Sequence, residues 1–208
     1  MIAVVDYRAG NLTSVGTALE FLGHRYTIAD SPEAVLAADR VVFPGVGAAG
    51  EAMRHLRELA LEEAIRTTVR RGTPFLGICL GYQILFERSA EDDADCLGLL
   101  PGAVVPFPRD MEDPRTGRPL KIPEMGWNDV AFRGEHPVWA AVPPGSEFYF
   151  VHSYYPAPAE DDRCAVTEYG VTYASGAARD NLVAFQFHPE KSGRPGLALL
   201  NGFCTWRP

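Results

Sequence analysis

The chain has 208 residues, 47% of them hydrophobic and 22% charged, which suits one globular domain spanning 1–208 and argues against disorder or fibrous repeats. A net charge of −8 repels polyanions on average, which sets nucleic acid aside. No apolar run reaches the roughly 18 residues that cross a bilayer, and the start MIAVVDYRAGN lacks the pattern of a secretion signal, so a cytoplasmic location is expected.

Taken in chain order, the first hundred residues alternate apolar strands with amphipathic stretches. IAVVD at 2–6 reads as a strand, LTSVGTALEFLG as a helix, RVVF at 40–43 as a strand and 52–71 as a helical run. PFLGIC at 74–79 is a further strand, with LGYQILFE as the helix after it. Such alternation implies parallel pairing, so the predicted fold is α/β: a doubly wound, mostly parallel sheet flanked by helices. Residues 101–123, rich in Pro, Arg and Asp, read as a surface connector. Strand-like runs follow at 146–155, in CAVTEYG, in VTYASGAA and in LVAFQF at 182–187, before a closing helix near 196–204. These later strands are expected to add a smaller antiparallel or mixed sheet.

The four cysteines, Cys79, Cys96, Cys164 and Cys204, are far apart and form no C-x-x-C pair, so neither a zinc site nor a disulfide framework is expected. Cys79 stands out. Gly77-Ile78-Cys79-Leu80-Gly81 falls where a strand should turn into a helix, as in a nucleophile elbow with cysteine in place of serine. The flanking glycines ease unusual backbone angles and close approach of neighbouring backbone. A thiol there would also feel the positive end of the following helix, which favours the reactive thiolate. The other three cysteines read as buried structural residues.

Of the five histidines, His24, His55 and His136 have no neighbouring carboxylate at a suggestive spacing. His152 reads equally as a structural strand residue or as a catalytic one. His188-Pro189-Glu190 follows the strand LVAFQF, and its proline holds a carboxylate two residues from an imidazole. A base beside a thiol needs its tautomer fixed and its cation stabilised, which Glu190 can do. Alone, His-Pro-Glu is a weak signal; with the elbow it becomes a candidate Cys79-His188-Glu190 triad.

Together these two motifs, in this chain order, resemble the triad motifs of class I glutamine amidotransferases. Asp6-Tyr7-Arg8-Ala9-Gly10-Asn11-Leu12, Pro44-Gly45-Val46-Gly47-Ala48, Lys121 to Asn128 (KIPEMGWN), Phe150-Val151-His152-Ser153-Tyr154 and His188 to Ser192 narrow the resemblance. They look like the branch whose glutaminase subunits supply ammonia to a separate cyclase in histidine biosynthesis. Glu124 and Ala49 depart from that branch's pattern, where histidine and a bulky aromatic are expected; both are taken to touch the partner or the packing of the oxyanion loop.

The resemblance implies that Cys79 attacks the carboxamide of glutamine, that ammonia leaves with a proton from His188, and that water releases glutamate. Backbone N–H groups of Leu80 and of Val46 and Gly47 would hold the oxyanion, with the Val46–Gly47 peptide free to flip between glycines. The alternative for those glycines is a plain turn ending the strand RVVF. Gln83 would lie near the carboxamide, Glu91 would meet the α-ammonium, and Ser153 with Tyr154 the α-carboxylate. Glu91-Asp92-Asp93 reads alternatively as a solvated acidic turn. The implied partner is a cyclase subunit with a (β/α)8 barrel, forming a heterodimer through Asn11, Trp127, Tyr149 and Lys191, although Trp127 equally suits a core. No cofactor or metal is implied. The glutaminase subunit of another synthase, a related γ-glutamyl hydrolase or cysteine peptidase, and a silent binding subunit of the same fold are the competing readings.

Overall fold

The computed structural model describes residues 1–113 and 116–208. The first half runs β1 (Ile2–Val5), α1 (Leu12–Phe21), β2 (Tyr26–Ala29), α2 (Pro32–Leu36), β3 (Arg40–Gly45), α3 (Ala49–Glu58), α4 (Leu61–Arg70), β4 (Phe75–Cys79) and α5 (Leu80–Gln83). The second half adds β5 (Arg88–Ser89), β6 (Ala94–Asp95), β7 (Gly102–Pro106), β8 (Glu124–Asp129), β9 (Ala131–Phe132), β10 (Glu147–His152) and β11 (Tyr154–Pro158). Then follow β12 (Arg163–Tyr169), β13 (Val171–Arg179), β14 (Leu182–Phe185) and α6 (Gly193–Thr205).

The large sheet has the order β2-β1-β3-β4-β14-β13-β12-β9. Its first five strands are parallel and the remainder antiparallel. The central strands β1 and β4 are buried along their whole length, the mark of strands covered on both faces. One face packs Val4, Ile78 and Phe185 against α1 and α6 through Val15, Leu19, Leu199 and Phe203. The other packs Val5, Phe43 and Phe75 against α2, α3 and α4 through Val35, Met53, Leu61 and Ile65. The sheet is thus doubly wound, as the alternation of strand and helix predicts. A four-stranded sheet, β11-β7-β5-β6, and a two-stranded antiparallel sheet, β10-β8, lie beside it.

Four local expectations are corrected. The helical run 52–71 breaks at Ala60, which has φ 55. Leu56 and Leu61 are both buried, yet five residues along one continuous helix they would point roughly 140° apart. The helix after Cys79 ends at Gln83, and Ile84, Leu85 and Phe86, expected as helix, are buried beyond its end. The stretch 101–123 contains β7, whose residues pair antiparallel with β11. The run 146–155 divides at Ser153: β10 pairs with β8 and β11 joins the four-stranded sheet. The strand β2 and the short α2 were not anticipated.

Candidate active site

Three neighbouring strands end together at the carboxyl edge of the large sheet. Gly45 on β3 is in register with Cys79 on β4, and Phe185 on β14 with Ile78. Cys79 itself carries the unusual backbone, φ 55 and ψ −112, a region a side chain seldom occupies. The glycines serve close approach instead. A Cβ on Gly81 would lie 1.9 Å from the Phe43 carbonyl oxygen, and one on Gly77 would lie 2.8 Å from the Gly81 oxygen. The expected helix behind the thiol is the single turn α5, which sums too few peptide dipoles to supply the field expected of a full helix.

The charged neighbour of that thiol is His188. Its Nδ1 lies 2.8 Å from Glu190 Oε1, and both side chains are buried. An ionised carboxylate only accepts, so Nδ1 carries the hydrogen and Nε2 is left as the reacting nitrogen. Nε2 and Glu190 Oε2 are buried without a hydrogen-bond partner. Burial opposes a charged imidazole, but the Cys79 charge and the bond to Glu190 outweigh it and raise His188 to about 10. A short 3₁₀ turn, Pro189–Lys191, follows His188, and the segment is strapped to β10. His188 N–H donates to the Tyr149 carbonyl at 2.9 Å. Tyr149 N–H donates to Ser192 Oγ at 3.0 Å, and that hydroxyl donates to the His188 carbonyl at 2.6 Å.

A chain of amides leads to the sulfur from the other side. Gln83 Nε2 donates to the Tyr154 carbonyl at 2.9 Å and to Gln186 Oε1 at 3.1 Å, and Gln186 Nε2 lies 3.7 Å from Cys79 Sγ. Beside the nucleophile, β3 runs two residues beyond RVVF, through Pro44 and Gly45. A Cβ on Gly45 would lie 2.8 Å from Leu80 Cβ, and Gly47 has φ +94. Val46, between them, is 39% exposed. Gly45 therefore does more than end a strand: its missing side chain lets the end of β3 lie against the residue after Cys79.

Glu91 is half-buried, and its Oε2 accepts the Ala49 N–H at 2.9 Å while Asp92 accepts the Gly50 N–H. Glu91 and Asp92 thus cap the start of α3, while Asp92 and Asp93 stay exposed as in a solvated turn, and burial raises Glu91 above its ordinary value. Ala49 is fully buried at that helix start, directly after the 44–48 segment, and Glu124 is buried inside the molecule, so of the two expectations for these positions, packing inside the chain fits the structure better than contact with a partner. Cys96, Cys164 and Cys204 are buried, and burial pushes their thiols up, Cys96 to about 11 and Cys204 to about 12. Among the described residues no group of three or more His, Cys, Asp or Glu is arranged to hold a metal.

The profile of the family described as glutamine amidotransferase class-I matches residues 3–205. The chain belongs to that family. This amidotransferase chain is 47% identical over its full length to the imidazole glycerol phosphate synthase subunit HisH of Thiobacillus denitrificans, covering 92% of that protein. It is 48% identical to the HisH subunit of Methylococcus capsulatus, over 100% of this chain and 97% of that one. Its fold matches PurLQS from Thermotoga maritima with a TM-score of 0.72 at 19% identity, over 98% of this chain and 96% of that one. The glutaminase domain of Trypanosoma brucei CTPS superposes with a TM-score of 0.64 at 17% identity, over 100% and 94%.

Elsewhere on the amidotransferase surface, three of the expected interface residues form one cluster. The Trp127 and Tyr149 rings meet edge to face at 6.2 Å, and Lys191 Nζ lies 5.9 Å from the Tyr149 ring centroid. Trp127 is 55% exposed and Met125 is 64% exposed, so the core alternative for Trp127 is set aside. Asn11 caps α1, accepting the Ser14 N–H at 3.3 Å. Sequence reasoning missed Gln186 and Ser192. Ser192 was visible as a hydroxyl just past His-Pro-Glu, whereas nothing in the pattern LVAFQF marks Gln186.

Proposed function

We propose that this chain is the glutaminase subunit of an imidazole glycerol phosphate synthase, releasing ammonia from glutamine for a second subunit. The observation that carries the reading is the buried His188–Glu190 pair, with Nε2 unpartnered, beside a cysteine held at elbow angles. Relatives named as HisH subunits, nearly half identical along the full length, support the choice of synthase.

In this reading Cys79 Sγ attacks the side-chain carbonyl of glutamine, and the resulting oxyanion takes N–H bonds from Leu80 and from the Val46–Gly47 segment. His188 delivers its proton to the leaving nitrogen, so ammonia departs and a γ-glutamyl thioester remains on Cys79. His188 then draws a proton from water, whose oxygen displaces the thiolate and frees glutamate. Glu190 holds the imidazole tautomer and its cation throughout. Gln83 orients the carboxamide, the free oxygen of Glu91 meets the α-ammonium, and Ser153 with Tyr154 take the α-carboxylate.

Ammonia needs an acceptor, and the family match takes up residues 3–205 of this chain. The acceptor is a cytoplasmic cyclase subunit with a (β/α)8 barrel, docking on Trp127, Tyr149 and Lys191 with Asn11 nearby. Glutamate production is the test, measured for the chain alone and with a cyclase barrel and its ribonucleotide ligand. Strong stimulation that Cys79→Ala abolishes supports both halves of the reading; no glutamate under any condition rejects it.

A further inference from the structure

Behind the amide chain lies a second buried polar cluster that the catalytic reading does not use. Glu124 opens β8 and stands opposite His152 at the end of β10. Their side chains are 3% and 2% exposed, with Glu124 Oε2 3.2 Å from His152 Nε2. Tyr173 donates its hydroxyl to the same Oε2 at 2.8 Å and lies 3.2 Å from Nε2. Asn128 Nδ2 donates to Oε1 at 2.9 Å. Both carboxylate oxygens are therefore satisfied, as a buried charge requires.

The other face of the imidazole points towards the site. His152 Nδ1 lies 2.8 Å from the Tyr154 carbonyl, which can only accept, so Nδ1 donates to it. That same carbonyl accepts Gln83 Nε2, and Gln83 leads through Gln186 to the sulfur. A continuous line of polar contacts thus runs from Glu124 to Cys79. A carbonyl held by two donors cannot swing away from Gln83, and a Gln83 amide with both contacts made cannot rotate.

We propose that Glu124 is a positioning residue of the glutamine site, acting through His152 and the Tyr154 carbonyl on the Gln83–Gln186 pair beside the nucleophile. The inference rests on the glutaminase reading above and adds to it. Because Glu124 precedes the exposed Met125 and Trp127 on one strand, the far end of this line is anchored in the strand that carries the docking cluster.

The test is steady-state glutaminase kinetics of the assembled two-subunit enzyme, per Cys79 titrated with a thiol-alkylating glutamine analogue, for wild type, Glu124→Gln and Tyr173→Phe. Glu124→Gln keeps the shape and removes the charge. Its KM for glutamine rises about tenfold, the ratio a charge-assisted hydrogen bond is worth, with kcat within about twofold. Tyr173→Phe leaves the Glu124–His152 pair in place, and its KM rises about threefold, as for one neutral hydrogen bond. It also carries the test should Glu124→Gln fail to fold. An unchanged KM in the folded variants, with only a lower unfolding temperature, makes the cluster a brace for the fold and overturns the proposal. A wild-type enzyme that makes no glutamate refutes the glutaminase reading itself, whereas an active wild type with unmoved variants refutes this inference alone.

Discussion

Cys79 takes φ 55, a strain that the hydrogen-bonded strands on either side hold in place. Serine at this position keeps the shape and removes the thiolate chemistry, so Cys79→Ser should lower glutamate release by at least about a thousandfold, read per folded enzyme. Glu190→Gln leaves the ring free to adopt the wrong tautomer, and kcat should fall by about a thousandfold or more with KM little changed. His188 is raised from 6.5 to about 10, so the folded protein binds this proton more tightly than the unfolded chain does. The stability it contributes is complete below about pH 6.5 and is lost as pH climbs through about 10. Urea midpoints of wild type and His188→Gln should accordingly differ more at about pH 6 than at about pH 10.5; an equal gap at both would contradict the shift. At this scale the sequence spoke clearly where chemistry sits in a local motif, as at Gly77 to Gly81 and His188 to Glu190. It was silent at Gln186, whose meaning comes from Gln83 and Cys79, more than a hundred residues earlier.

At the scale of elements, the turn from β4 into α5 depends on spaces that only a hydrogen atom fills. A Cβ on Gly81 would fall 1.9 Å from a backbone oxygen of β3, and backbone cannot step aside as a flexible side chain can. Gly81→Ala should cost about 2–3 kcal/mol of stability or more by overpacking, read from urea unfolding, and should abolish activity with it. The same Ala at Gly47, where nothing lies within 4 Å of the added carbon, would strain the backbone without any clash. The alternating first half was legible because parallel strands buried on both faces read as continuous apolar runs. The break at Ala60, the short α5 and the division of 146–155 were not. Each depends on which neighbour buries a residue, and local periodicity carries no record of that. The strand β7 was hidden because prolines and charges crowd the segment around a single apolar run.

Across the whole molecule, the exposed aromatic cluster proposed for docking and the site share β10. Tyr149 faces Lys191 and Trp127 while its backbone holds His188 and Ser192, and the Val151 carbonyl lies 4.0 Å from Cys79 Sγ. Loss of an exposed aromatic at the centre of such a patch typically costs 2 kcal/mol or more. Trp127→Ala should thus weaken binding of the cyclase subunit by about thirtyfold, measured by titration calorimetry, while leaving the unfolding temperature of the free chain unchanged. The exposed Val46 segment predicts a second whole-molecule effect: the free subunit should hydrolyse glutamine far more slowly than the complex, and equal rates would remove any gating by that segment.

One feature of the strand order also bears on how the protein comes into being. β4 pairs with β3 soon after both are made, but its other neighbour is β14, with Phe75 opposite Leu182. On the ribosome the nucleophile therefore emerges long before the imidazole that would activate it, and the edge of β4 waits unpaired while the second half is translated. A nascent or prematurely terminated chain carries a thiol without its base. Such a fragment is chemically idle and spills no ammonia; the exposure it suffers is of a sheet edge, which makes it a client for chaperones and proteases before it is ever an enzyme.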